Sequence, residues 1–111
     1  MIILLFTKGL STSNRYVIIG LKLLLTVIII KEEHYEPTKY AIAICDDEKY
    51  WQNQILNCCK LLENDINFNF EYHIFSSGED VLKYQSNIDI LLLDGELPGT
   101  SGQSIKEQFE A

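Results

Sequence analysis

Residues 88–102, IDILLLDGELPGTSG, constrain this chain more than any other stretch. A continuous apolar run there ends on a single carboxylate, Asp94, and a Pro98-Gly99 turn follows. Apolar runs without polar alternation are what a strand buried on both faces of a parallel sheet requires. A second such run, Tyr40–Cys45, closes on Asp46-Asp47-Glu48. If both runs are strands of one parallel sheet, their C-terminal ends and carboxylates share one edge of the fold.

The intervening sequence supports that arrangement. Glu48–Glu63 reads as a helix, with Trp51, Ile55, Cys58, Cys59 and Leu62 recurring on one face. Phe68, Phe70, Tyr72 and Ile74 alternate with Asn69, Glu71 and His73, which is strand periodicity. The S-x-x-E box Ser76–Glu79 predicts a short helix running to about Tyr84. Ile88–Leu93 is the next strand, and Ser101–Ala111 begins another helix with Ile105 and Phe109 on its inner face. The order β-α-β-α-β-α predicts an α/β domain over residues 40–111 with a parallel sheet.

Residues 1–39 differ in character. They carry five Lys/Arg against three Glu, whereas residues 40–111 carry four Lys against thirteen Asp/Glu. The formal net charge of −7 argues against direct nucleic-acid binding, which needs clustered cations. Tyr16–Ile30 is almost wholly aliphatic, but a bilayer span takes about 20 residues, and Lys22 interrupts the run. Three readings of residues 1–39 stand: a membrane anchor, a buried strand or helix, or a mis-started or unrelated segment. The last is preferred, because βα alternation starts cleanly at Tyr40. Cys45, Cys58 and Cys59 lack C-x-x-C spacing and read as reduced structural thiols of a cytoplasmic protein.

The carboxylates carry the chemistry. Asp46, Asp47 and Asp94 emerge together if strands 40–45 and 88–93 are neighbours, in the crevice where open α/β sheets bind ligands. Crowded carboxylates repel one another, and a hard cation such as Mg²⁺ relieves this while keeping waters for phosphate oxygens. Asp94 is then placed to accept a phosphoryl group as a carboxylate nucleophile.

AICDDE at 43–48, FSSGEDVL at 75–82 and LLLDGELPGTSG at 91–102 resemble the receiver domain of two-component response regulators. The resemblance implies a flavodoxin-like doubly wound sheet, cut off after the third strand and the start of the third helix. It implies Asp94 as phosphoacceptor, Asp47 as a direct Mg²⁺ ligand, Asp46 as a helper, and the Glu96 backbone carbonyl as a further ligand. The partner implied is a sensor histidine kinase, with a receiver dimer as a second association and DNA reached only through an output domain. Self-phosphorylation is the only catalysis expected, so the chain is not an independent enzyme. The CDDE start and a Glu two residues after the acceptor look most like receivers that precede LytTR-type domains.

The receiver pattern goes on to a fourth strand ending in Ser or Thr and a fifth ending in Lys, and neither follows residue 94 here. One edge of the sheet is therefore expected to be open and the chain poorly folded. The alternative is a degenerate receiver that binds a protein partner without phosphotransfer. Blander readings stand beside each residue. Asp47 also suits a helix cap, Glu96 a solvated loop charge, His73 a polar strand face, His34 an exposed linker and Trp51 a helix packing position. A haloacid-dehalogenase-like phosphatase is rejected, since its nucleophile position falls on Leu92.

Overall fold

The computed structural model describes residues 2–6, 26, 39–66, 69–84 and 87–111. They form β1 (Ile2–Phe6), β2 (Tyr40–Cys45), α1 (Lys49–Ile66), β3 (Phe70–Phe75), α2 (Gly78–Lys83), β4 (Ile90–Asp94) and α3 (Gly102–Glu110). The strands make one parallel sheet in the spatial order β1-β4-β2-β3. The α/β class and parallel sheet expected from the sequence are therefore present. Among the described residues, no helix is long and apolar enough to cross a membrane. Residues 16–30, the stretch weighed as an anchor, lie outside the described residues except for Thr26.

The central strands are apolar because helices cover both of their faces. Ile42 and Ile44 of β2 and Ile90 and Leu92 of β4 pack beneath Ile55, Cys59 and Leu62 of α1. On the opposite face Ala43, Cys45, Leu91 and Leu93 meet Val81 of α2, Ile105 of α3 and Leu97 of the loop between β4 and α3. The apolar face read for α1 is buried throughout, Trp51 included.

Several boundaries differ from the sequence reading. Phe68, the expected start of this strand, lies outside the described residues; β3 is described from Phe70, and Glu63 of α1 meets its start. Glu63 Oε2 accepts the Phe70 amide at 2.8 Å and its Oε1 accepts the Tyr72 hydroxyl at 2.9 Å. The cap of α2 is Ser77, not Ser76: the Ser77 Oγ accepts the Asp80 amide at 3.2 Å. His73 lies on the partly exposed side of β3, as its polar position suggests. Tyr84, just past α2, covers it, with ring centroids 5.0 Å apart and the hydroxyl 3.1 Å from Nδ1.

The largest departure is at the sheet edge expected to be open. Ile2–Phe6 lies along β4 in parallel register, from Ile2 opposite Ile90 to Phe6 opposite Asp94. The Ile2 amide donates to the Asp89 carbonyl at 2.9 Å. Five consecutive apolar residues suit this position, with Ile2 and Leu4 joining the α1 side and Ile3 the α2–α3 side. The segment read as separate from the domain thus contributes a strand to its sheet.

Two expected outcomes follow from this packing. Glu63→Ala leaves the Phe70 amide and Tyr72 hydroxyl without their acceptor and should cost about 1–3 kcal/mol in chemical denaturation. The exposed neighbour Asn64→Ala should stay within about 0.5 kcal/mol. Burial pushes the Cys59 thiol up to about 12, with Cys58 and Glu63 adding to the shift. A thiol raised in the folded state stabilises below the unfolded value of 9.0, and that contribution drains away as pH climbs from 9.0 towards about 12. The alkaline loss of stability should be shallower in Cys59→Ala than in the parent; identical slopes would show that Cys59 does not ionise on unfolding.

Candidate functional site

The parallel register of β2 and β4 builds the site. Cys45 stands opposite Leu93, so the residues that follow, Asp46 and Asp94, leave the sheet side by side. From β2 the chain turns away through α1 to β3, whereas from β4 it runs to α3, which packs on β1. The two connections diverge, and the crevice between them is the kind of switch point at which open α/β sheets place ligands.

Asp46 and Asp94 are fully buried and Asp47 is exposed. One carboxylate oxygen from each can be chosen so that all three lie within 4.8 Å of one another. The three aspartates singled out by sequence are thus brought together. Glu96 is exposed on the following turn, and its amide donates to Asp94 Oδ1 at 3.0 Å. Asp46 makes the same local bond, its Oδ1 accepting the Glu48 amide at 2.9 Å. Each buried aspartate is thereby oriented by a backbone amide two residues on, the short-range bonding that Asp favours in turns.

Further contacts hold the rim. The Asp46 amide donates to the Phe75 carbonyl at 3.1 Å, which ties the end of β2 to the end of β3. Gln52 of α1 donates through Nε2 to the Asp46 carbonyl at 2.7 Å and to Ser76 Oγ at 3.1 Å. Sequence reasoning missed Gln52; a lone Gln one turn into a helix carries no pattern to find it by. Across the crevice, Thr100 Oγ1 donates to Glu79 Oε1 at 3.1 Å, joining the loop after β4 to α2. The Pro98-Gly99 turn works as expected, with Gly99 at φ +82° in the left-handed region that glycine tolerates.

Gly102 has a role that sequence reasoning did not assign. A Cβ at this position would collide with the Asp94 carbonyl oxygen and lie 2.7 Å from both Gly95 Cα and Leu5 Cδ1. Only a residue without a side chain lets the first turn of α3 fold back onto the end of β4, where the Gly102 amide donates to the Gly95 carbonyl at 3.2 Å.

The donor set decides what the site can hold. Three carboxylates, two buried and one facing solvent, are hard oxygen ligands with room left for water, which suits Mg²⁺ better than a soft metal. The neighbouring thiol adds nothing as a nucleophile. Burial, reinforced by Asp46, Asp94, Asp80 and Glu79, pushes Cys45 up to about 12, and its Sγ donates to the Ser77 carbonyl at 3.4 Å. Comparison of the chain with protein-family models, curated proteins and solved structures found no match.

Proposed function

We propose that the chain is a receiver-type phosphoacceptor in two-component signalling, with Asp94 taking a phosphoryl group from the phosphohistidine of a sensor histidine kinase. The observation that carries this reading is the convergence of Asp46 and Asp47, after β2, on Asp94, at the end of β4. The order of the three strands from residue 40, with the first between the second and third, fits a flavodoxin-like sheet.

In this reading Asp47 and Asp94 would hold Mg²⁺ through their carboxylates, Asp46 would help through hydrogen bonds or water, and Glu96 would add its backbone carbonyl. When bound, the cation would supply positive charge that offsets the charge on the phosphoryl oxygens. A carboxylate oxygen of Asp94 attacks phosphorus as the bond to the donor imidazole nitrogen breaks, and the electron pair leaves with the imidazole. The product is an acyl phosphate on Asp94. The Glu96 amide orients the nucleophile through Asp94 Oδ1, while Gln52 fixes the backbone that carries Asp46. Burial of Asp46 and Asp94 strengthens these electrostatic interactions relative to open water. Such a protein transfers the group to itself and works in the cytoplasm, reaching DNA only through an output domain.

Intact mass after incubation with acetyl phosphate and Mg²⁺ should show one phosphoryl adduct per chain. The adduct should vanish in Asp94→Asn and when the cation is chelated. An adduct that survives in Asp94→Asn, or none in the parent, would sink the assignment. Asp47→Asn should weaken Mn²⁺ binding, read by electron paramagnetic resonance, by at least about tenfold.

A further inference from the structure

We infer that Ile2–Phe6 is a working part of the acidic site and that Leu5 is a positioning residue for Asp94. This rests on the phosphoacceptor reading for its functional meaning and on packing alone for its structural content. β1 runs along the side of β4 remote from β2, so β4 is held on both edges, and the last pair in the register is Phe6 with Asp94. Without β1, the backbone groups of β4 on that side would belong to an edge strand and would lose their ladder.

The path from Leu5 to the Asp94 backbone is short. α3 packs on β1. Leu5 brings its Cδ1 to the space beside Gly102, where a Cβ would also touch Gly95 Cα and strike the Asp94 carbonyl oxygen. Leu5 Cδ1, the first turn of α3 and the Asp94–Gly95 backbone therefore border one space too small for a single added carbon. Close-packed groups transmit the loss of even a few methyl groups to their neighbours. Leu5 is 38% exposed, so it sits at the rim, where trimming it removes little of the core. Its effect falls on Asp94 and α3 before it falls on the sheet as a whole.

The test uses the full chain with Leu5→Ala and, as the conservative variant, Leu5→Met. Amide hydrogen exchange is measured without metal or phosphoryl donor. In Leu5→Ala, exchange should quicken by roughly tenfold or more at residues 91–94 and 102–105, while β3 and α1 keep parent-like protection. Mn²⁺ binding should weaken by about tenfold, and Leu5→Met should restore both readouts. Unchanged exchange at residues 91–94 in Leu5→Ala would overturn the inference. So would an equal rise across β2, β3 and α1, since β1 would then support the whole sheet and not the Asp94 end. A parent chain that binds no Mn²⁺ would defeat the phosphoacceptor reading, and the exchange pattern alone would still decide the role of Leu5.

Discussion

The parallel pairing of β2 with β4 is the constraint on which the rest depends. It places Ile42 against Ile90 and Cys45 against Leu93, so two apolar runs far apart in sequence end together and release their aspartates at one edge. A register shift of one residue would turn the core side chains of either strand to the opposite face. Ala41 and Asp89 secure that register before the strands begin their shared ladder. The Asp89 amide donates to the Ala41 carbonyl at 2.9 Å, and the Ala41 amide donates to Asp89 Oδ2 at 2.8 Å. Asp89 also accepts from Ile2 through its carbonyl, so one residue aligns three strands at the end of the sheet away from the acidic site.

Legibility in the sequence followed the kind of interaction involved. Strands β2 and β4 and the buried face of α1 are written as apolar pattern, and Asp46, Asp47 and Asp94 stand at the ends of those patterns. What was missed depends on contacts between distant residues. The Glu63 carboxylate that accepts the Phe70 amide lies seven residues earlier and on another element. The choice of Ser77 over Ser76 as the cap follows from where the chain leaves β3, since both serines have an acidic residue three positions on. His73 reads as a polar strand residue, and only its contact with Tyr84 goes unread. The place of Ile2–Phe6 was not legible for a related reason: a strand added in parallel beside partners 88 residues on leaves no local signal beyond being apolar.

Burying Asp46 and Asp94 runs against stability, since a carboxylate removed from water must recover its lost hydration from the protein. Part of that recovery is visible in the amides of Glu48 and Glu96. The same bonds cost flexibility, because each fixes a turn directly after a strand. Departures from otherwise consistent local rules tend to mark places where function has been favoured over stability. In this chain the departures cluster: two buried acids, a left-handed Gly99 and a Gly102 that admits no side chain all lie at one end of β2 and β4. The opposite end of the sheet is closed by the paired amides of Ala41 and Asp89, one bonded to a backbone carbonyl and the other to the Asp89 carboxylate. That asymmetry is what the proposed phosphoacceptor site would require of its scaffold, with one end of the sheet fixing register and the other holding carboxylates in place.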